Sequence, residues 1–316
     1  MKRNKRTIFY IITAIFILNC SSYSREIRME LQGAAYCLSS NVLYKAPTPT
    51  IEEFRGYMND PILRSRYSQK AIKIAAAYGF ANTLKSHTEL LAKKDNLTAL
   101  EKEKFRDIEM IIMKRMNLIF IDIDSIASEM SCYVDRFSEI LAVMGEKEED
   151  IESSNTIYAI MSGALAAIID GLTIYDNSTN QKIIIGGGLL VSYFSYLAFK
   201  PMVTVEFRPR STNLKDIWFN PEITNNYSSA LWFLLTKRIN PEDEQPYREL
   251  LINRWIQNKY LGEEEEREKL VDLFFGKGGV STITNLTHRK EMITQLKTII
   301  TLFEQDTRAL MVEFIK

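Results

Sequence analysis

Hydrophobic residues recur every three or four positions over the middle of the chain, in a segment that begins at Thr98. The sequence Thr98-Ala99-Leu100-Glu101 is a capping box, in which each polar side chain bonds the backbone N–H group of the other residue. No Gly or Pro follows before Met144, and the apolar residues keep the period of one helical face apart from one step of seven. These residues are Phe105, Ile108, Ile112, Ile119, Ile123, Ile126, Met130, Tyr133, Phe137, Ile140 or Leu141, and Met144. The pattern predicts one helix of about 70 Å.

Two further helical segments flank this long helix. Asp60-Pro61 fits an N-cap followed by proline at the first helical position, and residues 62–92 continue at helical spacing. Residues 286–316 repeat the spacing near the end of the chain. We expect these two segments to be the partners along which the long helix packs. An intermolecular coiled coil is the alternative, although strict heptads with matching e and g charges are not evident.

An apolar hairpin is predicted at residues 157–199. Residues 157–175 carry one charge, Asp170, and residues 183–199 carry none, so each segment meets the lower length limit for a membrane span. Small residues recur every four positions, a spacing that lets membrane helices approach closely. They are Gly163, Ala167 and Gly171 in the first segment, and Gly188 and Ser192 in the second. We expect two buried helices in a globular domain; the alternatives are a membrane-inserting hairpin and a β-strand that residues 186–188 separate from a helix.

The remaining segments add short helices and one strand. Residues 202–207 alternate and are rich in β-branched side chains, which favours a strand. Residues 228–237 and 241–261 have helical patterns, and the run Glu263 to Glu266 opens another helix that ends at Gly276. The glycine-rich residues 276–279 lack the phosphate-loop spacing and are interpreted as a helix end and loop. The fold class predicted is therefore mainly all-α: long antiparallel helices, a central apolar hairpin and one short β element.

The N-terminus has the pattern of an export signal. Lys2, Arg3, Lys5 and Arg6 precede twelve uncharged and mostly apolar residues, 7–18, which are too few for an ordinary membrane anchor. The following Ile17-Leu18-Asn19-Cys20 resembles the lipobox of bacterial lipoproteins, and departs from it at Asn19, where a small residue is usual. The resemblance implies that residues 1–19 are removed and that Cys20 is acylated, which anchors the protein through membrane lipid. A secreted protein without lipid and an uncleaved signal anchor are the alternatives.

The proposed signal and acylation site predict the domain boundaries of the chain and its location in the cell. Residues 20–60 would form a lipidated N-terminus and tether, and residues 61–316 a single mainly helical domain. The resemblance implies an exported, lipid-anchored protein of the bacterial envelope, and we expect it in the outer membrane, although the sequence carries no readable signal that sorts it there instead of to the inner membrane. After export two cysteines remain, Cys37 and Cys132. They could form a disulfide in an oxidising compartment, although two separately buried thiols are the arrangement we favour.

The charge balance of the chain and the motifs that it lacks argue against several classes of function. Without the first six residues the chain has 36 basic residues against 40 acidic ones, which does not favour nucleic-acid binding. The two histidines, His87 and His288, are far apart in sequence, and the usual catalytic, zinc and calcium motifs do not occur. We therefore predict a protein that is no enzyme and needs no cofactor or metal.

The layout of long helices around an apolar hairpin is similar to that of α-helical pore-forming toxins of the haemolysin E type. The likeness covers layout only, so it assigns no residue a role. The leading hypothesis is a tethered envelope or surface lipoprotein that presents its helical body to another protein or to a host ligand. The second hypothesis is that the hairpin at residues 157–199 inserts into a membrane, as a pore or as a second anchor.

Overall fold

The structure, a computed structural model, describes residue 37 and residues 47–172, 203–207, 213–238 and 245–316. Over these residues the fold is mainly α-helical with one short β element, which confirms the predicted fold class. The helices are α1 Ile51–Met58, α2 Pro61–Arg64, α3 Gln69–Ala77, α4 Ala81–Leu91, α5 Ala99–Leu172, α6 Asn213–Phe219, α7 Ser229–Thr236, α8 Tyr247–Gln257, α9 Glu264–Phe275 and α10 Ile283–Ile315. The strands are β1 Thr204–Phe207 and β2 Gly279–Thr282, and a 3₁₀ turn covers Lys94–Asn96.

The chain divides into two compact units. The first unit contains, among the described residues, α5 from Glu139 onward together with β1 and most of β2. The second unit contains Cys37, α1–α4, α5 up to Ser138, α6–α9 and α10 from Asn285. The two strands pair with each other in a two-stranded sheet. The strand predicted at residues 202–207 is thus present, whereas its partner begins inside the glycine-rich segment that we interpreted as a loop.

Between residues 47 and 98 the structure has four short helices, where the sequence predicts the end of the tether and one helix at residues 62–92. Thr50 and Glu53 form a capping box that starts α1, and the buried side chains of Phe54 and Met58 fix this helix to the second unit. Residues 51–58 therefore belong to the folded body and not to the tether. Asp60 caps α2 as predicted, because its carboxylate accepts hydrogen bonds from the N–H groups of Ile62 and Leu63.

The predicted helix at residues 62–92 is interrupted twice. Ser68 begins a new helix by accepting a hydrogen bond from the N–H group of Ala71. The second interruption is a Schellman motif: Gly79 has a φ of 72°, its N–H group donates to the carbonyl of Ala76, and Phe80 donates to the carbonyl of Ala75. These caps satisfy backbone groups locally, so three short helices replace one long one.

Helix α5 continues further than the sequence predicts. It has 74 residues and runs through Leu172, so the first segment of the apolar hairpin begins as an extension of the long helix. Its start has the predicted capping box, in which Thr98 and Glu101 bond each other's backbone N–H groups at 2.9 and 3.3 Å. The predicted stripe from Phe105 to Met144 supplies buried residues along the helix.

The second unit packs its helices around large side chains. Helix α3 packs on α1, α4 and α7, and α8 packs on α6 and α7. Phe54 of α1 lies 5.3 Å from Phe233 of α7, measured between ring centroids, and Lys73 of α3 forms an ion pair with Asp306 of α10. Helix α10 extends over the predicted residues and buries the predicted stripe. Its buried residues include Ile293, Leu296, Ile300, Phe303, Leu310 and Phe314.

Candidate functional site

An aromatic stack joins three helices of the second unit. Trp218 of α6 stacks on Phe275 of α9 with ring centroids 5.1 Å apart, and Trp255 of α8 stacks on the same Phe275 at 6.2 Å. Trp255 and Phe275 are fully buried, whereas Trp218 is only partly covered. The stack therefore holds the Trp218 indole as a rigid apolar wall at the surface.

A groove of about 490 Å³ lies between α6 and α8 against this wall. It is lined by Trp218, Arg248, Glu249, Ile252 and Asn253. The four lining residues of α8 come from two successive turns of the helix, because residues three or four positions apart are neighbours on a helix. The volume lies within the range of about 300–1,000 Å³ typical of ligand pockets in proteins.

Arg248 is the cation of this groove. Its Nη2 donates a hydrogen bond to the backbone carbonyl of Trp218 at 2.8 Å, which ties α8 to α6. Its Nε is buried and has no hydrogen-bond partner among the described residues. Burial lowers the pKa of Arg248 below its usual value, against the opposing charge of Glu249. An acceptor or an anion in the groove would restore solvation that the guanidinium has lost.

The residues that line the groove are suited to binding a ligand through both apolar and polar contacts. It offers two apolar surfaces, Trp218 and Ile252, beside one cation, one carboxylate and one amide. Asn253 is held by its own hydrogen bond, since its Nδ2 donates to Oε1 of Gln245 at 2.7 Å. Within the described ranges, no group of three or more His, Cys, Asp or Glu residues is placed to hold a metal ion.

A buried polar cluster in the same unit is a structural junction. Asp122 of α5 accepts hydrogen bonds from the hydroxyl of Tyr78, at 2.9 Å, and from the hydroxyl of Ser228, at 2.5 Å. Ser228 in turn caps α7 by accepting from the N–H group of Leu231. Burial raises the pKa of Asp122, against the effect of both hydrogen bonds. The cluster joins the end of α3, the long helix and the start of α7, and all three of its residues are buried.

A second buried polar residue is His87 of α4, which lies between aromatic rings. Its ring is 4.9 Å from Phe105 and 4.9 Å from Phe314, measured between centroids. Its Nε2 is 3.7 Å from Glu109, and neither ring nitrogen makes a hydrogen bond within the described part of the chain. Burial lowers the pKa of His87, against the charge of Glu109, and the charge of Arg66 adds to the decrease. The neutral imidazole is the form that this site favours.

Cys37 and Cys132 are joined in a disulfide, with Cα atoms 5.5 Å apart. This is the arrangement that the sequence analysis placed second, because spacing alone does not bring two cysteines together. The bond attaches the N-terminal part of the chain to α5 across 95 residues of sequence.

The other residues singled out in the sequence lie largely outside the described part. Cys20, Gly188 and Ser192 fall in segments that the structure does not describe. Gly163, Ala167 and Gly171 belong to α5. In the described part of the chain, no helix combines the length and the apolar character that crossing a bilayer requires.

The sequence did not identify the residues of the groove as candidate site residues. The signal that could have found them is the concentration of Trp218, Trp232 and Trp255 in a segment divided by prolines. That concentration does not say which tryptophan is buried. Trp218 and Arg248 are 30 residues apart, and no helical period relates them.

Comparison of the chain with protein-family models, with curated proteins and with solved structures found no match.

Proposed function

We propose that the protein is a membrane-tethered, non-catalytic lipoprotein of the bacterial envelope, which binds a partner polypeptide in the groove between α6 and α8. The observation that carries the proposal is the lining of that groove, where a rigid indole and a partly desolvated guanidinium face the same space. A protein that binds a partner needs such a surface. The residues that line the groove do not include a nucleophile paired with a general base. Measured turnover of any substrate would contradict the non-catalytic part of the proposal.

The proposed tether rests on the N-terminal sequence. Ile17-Leu18-Asn19-Cys20 supports acylation of Cys20 after export, and several acyl chains on one residue exceed the two signals needed for stable anchoring. Membrane lipid is thus the first partner, and the outer membrane the proposed location. Cys37, through its disulfide with Cys132, and α1 from Ile51 belong to the folded body, so the proposed tether is shorter than the residues 20–60 expected from the sequence.

The chemistry of the groove selects the partner segment. An apolar or aromatic side chain would lie against Trp218 and Ile252, since removal of apolar surface from water favours association. A backbone carbonyl or a carboxylate beside that side chain would accept hydrogen bonds from Arg248. A polypeptide supplies both groups within one or two residues, which is why we favour it over a small apolar molecule.

Photo-cross-linking in cells tests this site. A photo-reactive amino acid replaces Asn253, which is exposed and lines the groove, and a matched control carries it at exposed Glu89 of α4. We expect a discrete protein adduct with the probe at Asn253 and none with the probe at Glu89. Addition of Arg248→Gln should reduce the adduct several-fold, because the cation is lost. Equal adducts from both positions, or none from either, would contradict the proposed site.

A membrane-inserting hairpin at residues 157–199 is the second candidate. The continuity of α5 through Leu172 favours it, because a helix already extends into the first apolar segment. Protein lacking residues 1–20 should then still bind liposomes or release an enclosed dye. If that protein leaves dye-loaded vesicles intact across the pH range and does not bind them, this candidate fails.

A further inference from the structure

The last turn of α10, residues 312–315, is fastened to the connection between α2 and α3. Arg66 lies in that connection, and its Nη2 donates a hydrogen bond to the backbone carbonyl of Phe314 at 3.2 Å. The N–H group of Ser68 donates to Oε2 of Glu313 at 2.8 Å. The last carbonyls of a helix have no partner within the helix, so a cation such as Arg66 is favourable there.

The same turn also rests on His87 through an aromatic contact. The imidazole lies between Phe105 of α5 and Phe314 of α10, and each phenyl centroid is 4.9 Å from the centroid of the imidazole. Only 2% of His87 is exposed, and Phe105 and Phe314 are buried with it. The ring of α4 therefore fills the space between the long helix and the last turn of α10.

This space suits the neutral ring and not the charged one. A protonated imidazole has two N–H donors, and each needs an acceptor when it is buried. Nε2 lies 3.7 Å from Oε1 of Glu109, whereas Nδ1 has no hydrogen-bond partner among the described residues. A proton on His87 would thus leave a charged donor unsatisfied between two apolar rings.

Charged groups of the surrounding elements act on the ring in opposite directions. Arg66, from the connection between α2 and α3, repels a positive charge there, and Glu109 of α5 attracts it. Helix α10 contributes Glu313, whose carboxylate is already bound as described above. In α4 itself the charged residues are Lys85 and Glu89, which lie two positions from the imidazole and point to other sides of the helix.

The balance of these effects favours the neutral ring. Burial has the largest effect and lowers the pKa of His87, the charge of Arg66 adds to the decrease, and the charge of Glu109 opposes it. A ring that leaves this space for solvent regains the ordinary proton affinity of histidine. Proton uptake is therefore linked to departure of the ring, which is favoured as the pH falls below about 6.5.

We propose that protonation of His87 releases the last turn of α10, so that acid opens this part of the second unit locally. The charged ring turns toward Glu109, which is partly exposed, and thereby reaches water for its second donor. Phe314 then loses its aromatic partner and becomes exposed beside Val312 and Ile315, which are 52% and 68% exposed already. A helical turn without tertiary contacts is unstable and frays. The inference depends neither on the tether nor on the groove.

Hydrogen–deuterium exchange of the full chain tests the release. Amide protection, corrected for the intrinsic effect of pH, is compared at about pH 7.5 and about pH 5, on either side of the titration of histidine. We expect peptides that cover residues 308–316 to lose protection several-fold at the lower pH. Peptides that cover residues 229–236 of α7 are the internal control and should keep theirs, because this helix makes none of the contacts described above.

Three variants assign the effect to the proposed groups. His87→Leu should keep residues 308–316 protected at both pH values, because leucine takes up no proton. Glu109→Gln, at a partly exposed position, should move the loss of protection to lower pH, since the carboxylate that favours proton uptake is gone. Arg66→Gln should reduce protection of the turn even at the higher pH, because the hydrogen bond to Phe314 is lost. Circular dichroism at the higher pH checks that each variant folds.

Several results would overturn the inference. Wild-type protection of residues 308–316 that is equal at the two pH values would exclude acid release. A loss in His87→Leu as large as in the wild type would assign the proton to another group. Equal losses in the α7 peptides would show general unfolding in place of local opening. A Glu109→Gln chain that opens at the same or a higher pH would contradict the proposed role of that carboxylate.

Discussion

Asp122 shows how one side chain can hold three helices. It lies in the apolar stripe of α5, and its carboxylate receives the hydroxyl groups of Tyr78 and Ser228. A buried hydroxyl that loses its acceptor costs more than the bond itself contributes, because water does not replace the partner. The residue is thus important for stability and does not need a catalytic role to explain its perturbed pKa.

Replacement of Asp122 by Ala should reduce the free energy of unfolding by about 1 to 3 kcal/mol. Asp124 is the matched control, since it lies two residues away on the same helix and is exposed. Asp124→Ala should change the value by less than about 0.5 kcal/mol. Urea unfolding followed by far-UV circular dichroism measures both. Equal losses in the two variants would show that the junction does not stabilise the fold.

His87 should make stability depend on pH. Burial lowers its pKa below the ordinary 6.5, so the unfolded chain binds the proton more readily than the folded one. The stabilising contribution is complete above pH 6.5 and is lost as the pH falls below it. Glu109, which faces the ring, opposes this loss, and Arg66 increases it.

The variant His87→Leu should flatten this dependence between about pH 5 and pH 8, because the apolar side chain takes up no proton. The wild-type chain, measured in the same buffers, is the reference. The measurement is urea unfolding at several pH values. A His87→Leu profile identical to that of the wild type would assign the proton uptake to another group.

Helix boundaries were the least predictable elements. The periodicity of α5 and α10 identified both helices, because a long stripe averages over local exceptions. The apolar pattern of residues 62–92 did not reveal that this segment is interrupted, since a helix cap depends on single residues. Gly79 followed by an apolar residue is a signal for such a break, and the sequence analysis missed it.

Replacement of Gly79 by Ala should reduce the free energy of unfolding by about 1 to 2 kcal/mol. The φ of 72° disfavours any Cβ, and an added Cβ would lie 3.1 Å from the carbonyl oxygen of Pro47. Gly56 in α1 is the opposite case, because a Cβ there would meet no atom within 4 Å. Gly56→Ala should stabilise the protein by up to about 1 kcal/mol. Thermal or urea unfolding of both variants measures the two changes in the free energy of unfolding. Changes of the same sign in Gly79→Ala and Gly56→Ala would contradict the prediction.

The disulfide is a long-range element that spacing does not predict. Its two cysteines are 95 residues apart, so the bond restricts a long loop of the unfolded chain. In the chain-entropy account, its loss should reduce the free energy of unfolding by about 4 to 5 kcal/mol. Urea unfolding with and without a reductant measures the loss. The variant Cys37→Ser/Cys132→Ser is the control and should be weakened already, with no further response to the reductant; an unchanged wild type under reduction would contradict the prediction.

The whole molecule combines a proposed lipid anchor with a proposed binding groove. The sequence predicted the helical class and located the anchor pattern, since both are local or periodic. It did not predict the groove, because Trp218 and Arg248 meet only through tertiary packing.

Acylation of Cys20 is the central claim, and metabolic labelling with a palmitate analogue tests it most directly. Cells would produce the wild-type chain or Cys20→Ala, and mass spectrometry would determine the first residue of the mature protein. The account predicts that the wild type begins at Cys20 and carries the label, while Cys20→Ala carries none. A wild-type protein that has no label, or that begins at another residue, would contradict it.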